Sequence, residues 1–309
     1  LATSNAAKTT DGIAVFMERF SNSCREVAQG GRRGALMLTI SVHHPDIETF
    51  VNIKRDLKKV TGANISIRLT DEFMRAVEAG SDYQLRFPVE DDENLIVDEK
   101  VDARKVWDQI IESAHASAEP GLLFWDNVLN YTPAQAYAED GFHTISTNPC
   151  SEITLSAYDS CRLLLLNLTS FVENPFTPDA KFQYDLFAKK AKSAQRLMDD
   201  LIDLELECVD KIVAKISQDP ESKDTKRVEL ELWERIRKAA TEGRRTGLGV
   251  TGLGDTLAML GLTYGSAESI KETELIYKQL AVSSYRSSCE LAKERGSFPV
   301  YDFDKEKNH

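Results

Sequence analysis

Three reactive side-chain types, an amide, a thiol and a carboxylate, occupy alternating positions in Asn148-Pro149-Cys150-Ser151-Glu152. A second thiol, Cys161, follows eleven positions past the first in Asp159-Ser160-Cys161-Arg162. If the first stretch is extended, the side-chain period of two carries Asn148, Cys150 and Glu152 to one side, where one small molecule can meet all three. The competing reading is structural: a lone cysteine behaves as a small buried hydrophobe, and Asn-Pro opens turns.

The flanking elements decide how these groups are held. His143 to Cys150 approaches the stretch, and Arg162 to Val172 is the most apolar strand pattern of the chain. Cys150 and Cys161 therefore stand at the two ends of a connection into a core strand, an arrangement that lets both sulfurs face one cavity. Upstream, Asp11 caps a helix with Ile13, Phe16, Met17, Phe20, Cys24 and Val27 on one stripe. Strands follow at Ala35 to Val42, Asn64 to Leu69, Tyr83 to Phe87 and Gly121 to Trp125. Helices are expected from Pro45 to Ile53, after the Thr70 cap to Ala79, from Asp102 to Glu119, and as a short turn from Asp126 to Tyr131. Glu90 to Lys100 reads as an acidic connector. Strands alternating with helices imply βαβ units and a largely parallel sheet.

Between the second helix and the second strand lies a basic loop, Lys54-Arg55-Asp56-Leu57-Lys58-Lys59-Val60-Thr61-Gly62. Its cations, close to a glycine in an acidic chain, make either an anion-binding loop or a solvated surface. From Tyr184 two helical stretches, Tyr184 to Ile216 and Lys226 to Thr241, form a hairpin, and Glu268 to Arg295 is a third long helix. Cys24, Cys208 and Cys289 lie within helices, where packing is the expected role.

Gly247, Gly249 and Gly252 satisfy the dinucleotide pattern GxGxxG. That pattern has force between a strand and a helix inside a βαβ unit. Here a charged helix precedes it and the glycines themselves occupy the strand, so they are read as admitting close approach to something bulky.

With 42% hydrophobic and 28% charged residues among 309, the composition is that of a globular protein. A net charge of −12 argues against general binding to a nucleic-acid backbone. The five cysteines form no CxxC pair, and no histidines stand at metal-ligand spacing. No apolar run reaches the ~20 residues of a membrane span, and the thiol usage suits a reducing, cytoplasmic setting. The sequence begins at Leu1 and ends in a charged string, and it is read as a piece of a longer polypeptide.

Several separated stretches, in order along nearly the whole chain, resemble the catalytic subunit of ribonucleotide reductase. They are GGRRGALM (Gly30 to Met37), TGANISIRLTDEFM (Thr61 to Met74), NPCSEI (Asn148 to Ile153), YDSCRLLLLNL (Tyr158 to Leu168) and GRRTGLGVTGLGD (Gly243 to Asp255). The NPCSE form, with Cys161 close behind, looks like the adenosylcobalamin-dependent class. The class served by a separate radical-generating subunit usually has a longer insertion there.

The resemblance implies an α/β fold, a ten-stranded barrel of two parallel five-stranded half-sheets with a finger loop, of which residues 1–309 would be a partial domain. Within it the finger loop would be 148–152, the specificity-type loops 1–10 and 54–63, and the helical hairpin 184–241. It also implies roles. Cys150 would be the thiyl radical that takes hydrogen from the ribose 3′ carbon, Glu152 the base on the 3′ hydroxyl, and Asn148 the hydrogen-bond partner of the sugar hydroxyls. Those roles suit a weak S–H bond, a carboxylate and a donor-acceptor amide. Cys161 would be half of the dithiol that becomes a disulfide, and Ser151 and Gly62 would touch substrate.

Lys8, Thr9, Arg55, Lys58 and Lys59 would serve deoxynucleotide or ATP effectors at a homodimer interface that includes the first helix. A ribonucleotide is the implied substrate, adenosylcobalamin the cofactor and a thioredoxin-type protein the reductant. The second reducing cysteine and the phosphate-holding loop of the family are not found in the chain, nor is a cobalamin motif, so this polypeptide alone is expected to be inactive. A class I large subunit, a glycyl-radical barrel enzyme and a non-catalytic nucleotide-binding module are the competing readings.

Overall fold

The computed structural model describes residues 12–27, 31–32, 34–91, 93–160 and 162–309. They form two compact units, Leu1–Ser156 with Asn308–His309, and Ala157–Lys307.

In the first unit, helix α1 (Ile13–Glu26) starts after Gly12, while Asp11 lies outside the described residues. Its stripe is only partly covered: Met17 is buried, but Phe16 and Phe20 are each 53% exposed. Strand β1 (Met37–Ser41) leads to α2 (Ile47–Asn52), then β2 (Asn64–Leu69) to α3 (Asp71–Ala79). The Thr70 side chain caps α3 by accepting from the Phe73 N–H, and Gly80 ends it in the left-handed region. A hairpin of β3 (Asp82–Phe87) and β4 (Val97–Asp102) precedes α4 (Ala103–Ser117), whose N-cap is Asp102. After it come β5 (Gly121–Phe124) and α5 (Trp125–Tyr131).

The segment read as an acidic connector therefore holds β4. Most of its side chains are exposed, so main-chain pairing to β3 rather than apolar burial makes it a strand, and no periodic apolar signal marks it.

Strands β1, β2 and β5 form a parallel sheet in the order β1-β2-β5. Ile65, Ile67 and Leu69 of β2 share one core with Phe50 of α2, Phe73 of α3 and Ile110 of α4. Alternation leaves Ser66 and Arg68 on the opposite face of the strand. The unit closes with the hairpin of β6 (Thr144–Thr147) and β7 (Thr154–Ser156).

In the second unit, β8 (Leu163–Asn167) ends at Asn167, because Leu168–Phe171 turns into a 3-10 helix that Asn167 caps. The expected strand to Val172 is thus shorter, and β9 (Val172–Glu173) pairs instead with β10 (Lys181–Phe182). The helices are α6 (Tyr184–Gln218), α7 (Lys223–Gly243), α8 (Leu253–Met259), α9 (Ala267–Arg295) and α10 (Phe303–Asn308), with β11 (Gly247–Thr251) between α7 and α8. Strand β11 runs parallel to β8 in the register Gly247↔Leu163. Phe187 and Ala191 of α6 pack with Ile276 and Leu280 of α9.

Cys208 and Cys289 are exposed, against the expectation of packing. Each lies one or two residues off the buried positions of its helix, Val209 on α6 and Ser287 and Leu291 on α9. Among the described residues the strands make one three-stranded sheet and four two-stranded ladders, with no closed barrel.

Candidate active site

Six residues, 148–153, join β6 to β7, and they are not extended. The Asn148 N–H donates to the Ile153 carbonyl at 3.1 Å and the Ser151 N–H to the Asn148 carbonyl at 2.9 Å. The Ile153 N–H in turn donates to Asn148 Oδ1 at 3.0 Å. Ser151 adopts φ 69°, in the left-handed region. The stretch is a tight turn at a hairpin tip, so a strand's period of two does not govern Asn148, Cys150 and Glu152. Pro149 and the asparagine side chain favour this outcome, since both supply turn geometry at the end of a strand.

Cys150 is a free thiol exposed at the tip, and Glu152 is exposed beside it. Asn148 is half-buried, its oxygen committed to the turn. The hairpin is anchored at its base. Ser146 Oγ lies 3.3 Å from Thr39 Oγ1 of β1, the Thr132 hydroxyl donates to Thr154 Oγ1 at 3.2 Å, and Ser156 donates to the Phe142 carbonyl at 2.8 Å. The thiol and the carboxylate thus project from a turn whose stem rests on the polar face of the parallel sheet.

Cys161 lies outside the described residues, so its expected meeting with Cys150 is not described. Its chain neighbours are well held. Glu205 of α6 accepts from Ser160 Oγ at 3.3 Å and from Arg162 Nη2 at 3.0 Å, and also pairs with Arg162 Nε. Arg162 is 7% exposed and also donates to the Arg245 carbonyl at 3.2 Å. Arg245 pairs with Asp159. Glu205 carries no signal in the sequence, being one acid among many on a long polar helix.

Lys8 and Thr9 also lie outside the described residues. In the basic loop, Arg55 is engaged by Ser113 Oγ and Glu112 at 3.1 Å each, and Lys54 pairs with Glu119. Lys58 and Lys59 are exposed. Gly62 donates its N–H to Ser21 Oγ at 2.9 Å, and a Cβ there would meet the Ser21 carbonyl at 2.5 Å. Only glycine allows the loop to lie this close to α1.

Of the GxGxxG glycines, Gly247 and Gly249 lie in β11 as expected, whereas Gly252 falls just past the strand and caps α8 at φ 76°. A Cβ on Gly247 would meet Leu163 Cδ2 at 2.7 Å and the Arg162 carbonyl at 2.8 Å, so the glycine serves close strand approach. A cavity of about 450 Å³ in the second unit is lined by Asp199, Thr241, Arg244 and Arg295 among others, and its arginines are already paired with aspartates. No metal-holding group of His, Cys, Asp and Glu occurs among the described residues.

Comparison with known proteins gives a consistent result. The model of the ribonucleotide reductase barrel domain matches residues 2–309. The vitamin B12-dependent ribonucleoside-diphosphate reductase of Mycobacterium tuberculosis is 31% identical over 297 residues, 95% of this chain and 37% of that protein. The protein of the same name in Thermoplasma acidophilum is 31% identical over 299 residues, 95% of this chain and 34% of the relative. The chain thus spans about a third of the length of these relatives. Among solved structures, the class Id ribonucleotide reductase alpha subunit of Actinobacillus ureae superposes with a TM-score of 0.65 at 20% identity, over 96% of this chain and 47% of that one. With the family model covering all but the first residue, and with a thiol and a carboxylate at the tip of a hairpin inside an α/β fold, this chain belongs to the ribonucleotide reductase family, whose barrel domain it matches.

Proposed function

We propose that the chain is the radical-bearing part of a reductase that converts ribonucleoside di- or triphosphates to deoxyribonucleotides. The observation that supports this most directly is the free, exposed thiol of Cys150 beside Glu152 on a turn fixed by its own backbone. In this reading Cys150 exchanges a hydrogen atom with the ribose 3′ carbon, while Glu152 takes the 3′ hydroxyl proton. The amide nitrogen of Asn148 donates to a sugar hydroxyl, since its oxygen already serves the turn. Ser151 and Gly62 stand as further substrate contacts. Cys161 is one of two thiols that together give up two hydrogens. The 2′ hydroxyl leaves as water, C2′ is reduced, and the two sulfurs become a disulfide. A thioredoxin-type protein then restores the dithiol.

The name shared by the relatives points to adenosylcobalamin as the initiator. When bound, it supplies the radical that starts turnover. What such a group requires of this chain is a thiol open to approach, and Cys150 at the hairpin tip fits that requirement. The ten-stranded barrel, the cytoplasmic setting and the homodimer belong to the same reading. So do the effector sites at Lys8, Thr9, Arg55, Lys58 and Lys59. The partly uncovered stripe of α1 supports the dimer. No described helix is long and apolar enough to cross a membrane.

The test is a pair of variants in a reductase containing this chain. Cys150→Ser is expected to abolish turnover with nucleotide binding within about twofold of the parent. Cys161→Ser should block turnover with a dithiol reductant yet leave hydrogen exchange at the radical centre. Normal turnover by the first variant removes the role given to Cys150.

A further inference from the structure

Arg68 stands on the face of β2 opposite its core residues. In the parallel register Thr39 is opposite Ser66 and Ser41 opposite Arg68, so these four side chains share one face of the sheet. It is the face on which Thr39 meets Ser146 of the finger hairpin. Arg68 is the next-to-last residue of β2, and Trp125 begins α5 directly after β5. The guanidinium carbon lies 4.9 Å from the centroid of the Trp125 ring, within range of a cation–π contact.

One guanidinium donor of the half-buried Arg68 is unsatisfied. Its Nε is buried with no hydrogen-bond partner, and no carboxylate forms an ion pair with Arg68 among the described residues. Arg162, Arg244 and Arg295 contrast with it, since each is matched to aspartate or glutamate. Burial lowers the proton affinity of Arg68, with the charge of Glu90 acting the other way. An arginine nevertheless stays protonated. A partly buried cation without a hydrogen-bonded counter-charge is costly, and an aromatic face offsets only part of that cost.

Two further features narrow the missing partner. Ligands of parallel α/β sheets bind beyond the carboxyl ends of the strands, which is where Arg68 and Trp125 lie. Stacking on the indole fixes the guanidinium plane, and a fixed fork of N–H donors matches two oxygens of one oxyanion. We propose that Arg68, held on Trp125, is an oxyanion-binding residue that takes a phosphate group of a nucleotide at the carboxyl end of the β1-β2-β5 sheet. The nucleotide as carrier rests on the reductase reading; the oxyanion site does not.

Calorimetric titration of the chain with inorganic pyrophosphate, a ribonucleoside diphosphate and the matching nucleoside tests this, using the parent, Arg68→Gln, Arg68→Lys and Trp125→Phe. The parent should bind the first two and not the nucleoside, more weakly as salt rises. Arg68→Gln should weaken both at least tenfold, and Arg68→Lys at least fivefold because an ammonium has no fork. Trp125→Phe should weaken both two- to fivefold.

No pyrophosphate binding by the parent overturns the proposal. So does an Arg68→Gln affinity within twofold of the parent, which would place the anion elsewhere, as on Lys58 and Lys59. If Arg68→Gln does not keep the parent's circular dichroism, Arg68→Lys decides by the same limits. Pyrophosphate binding that depends on Arg68, without binding of the nucleotide, sustains the oxyanion site and overturns the nucleotide as its occupant.

Discussion

Asn148 and Ile153 are tied to each other twice across the hairpin tip, by the Asn148 N–H to the Ile153 carbonyl and by the Ile153 N–H to Asn148 Oδ1. One amide side chain thereby shapes the turn from which Cys150 and Glu152 project. Its two ends are separable: the oxygen serves the fold, and the nitrogen is the group assigned to a ligand in the proposed function.

Replacing Asn148 by Asp keeps the acceptor and removes the donor, whereas Ala removes both. Asn148→Ala should cost the tip about 1 kcal/mol, seen as roughly fivefold faster hydrogen exchange at the Ile153 amide. Asn148→Asp should leave that exchange within twofold of the parent while weakening ribonucleotide binding as much as Ala does. Equal exchange in both variants would remove the structural half of the assignment.

Glu205 holds both residues that flank Cys161 in the sequence. Glu205→Gln leaves the buried Arg162 without its carboxylate. A fully buried pair broken in this way loses about 3–5 kcal/mol. Because the Glu205 side chain is 28% exposed, the expected loss is about 2 kcal/mol, read from urea unfolding of the chain. A midpoint unchanged from the parent would show the bracket to be idle.

At Gly247 an added Cβ meets main chain, the Arg162 carbonyl at 2.8 Å, while at Gly249 it meets only Leu165 Cδ2 at 2.9 Å. A carbonyl cannot rotate away as a leucine methyl can. Gly247→Ala should therefore destabilise by about 2 kcal/mol and Gly249→Ala by less than about 1 kcal/mol, both measured by urea unfolding. The reverse order would contradict the strand packing described for β8 and β11.

His43 is a buried histidine. Its Nδ1 and Nε2 lie 2.8 Å from the Gln84 carbonyl and Thr70 Oγ1 respectively, and Thr70 also accepts from the Phe73 N–H. In a neutral ring whose Nδ1–H donates to the Gln84 carbonyl, Nε2 is the acceptor and the Thr70 hydroxyl donates to it. Burial lowers the His43 pKa below 6.5; the Gln84 carbonyl, Glu72 and Asp126 oppose it, and Arg86 adds to it. His44 shifts the same way through burial, against Asp46. A folded pKa below the unfolded one means that the unfolded chain binds more protons. The stabilising contribution is therefore present above pH ~6.5 and lost as pH falls below it, by at most about 1.4 kcal/mol per pH unit for each histidine. Urea midpoints should drop between pH 7 and 5, and His43→Gln should flatten about half of the slope. A slope unchanged by that variant would exclude His43 as its source.

Much of the fold could be read along the chain because burial and caps coincide there. The alternation in Asn64 to Leu69, the Thr70 cap and the Asp102 cap delimit β2, α3 and α4 nearly to the residue. Strand β4 was illegible because its pairing is main-chain only and its side chains are mostly solvated. Residue type alone marks the reactive pentapeptide, but not its shape: Asn148 reaches five residues on to Ile153, a contact that no periodicity encodes. Arg68 was visible as the polar half of the β2 alternation. Its stacking on Trp125 joins two elements far apart in the chain, a pairing that sequence spacing does not supply.

Asp199 is the joint of the second unit. Its carboxylate accepts from Arg244 Nε at 2.8 Å and Arg295 Nη1 at 2.6 Å, so the ends of α7 and α9 meet on the middle of α6. One turn earlier, Gln195 donates to Thr246 at 3.0 Å and accepts from Ser284 at 2.8 Å, just where the chain enters β11. Three long rods and the root of a strand are thereby pinned into a single strut. Losing the Asp199 carboxylate would therefore release the ends of two helices from α6 at once.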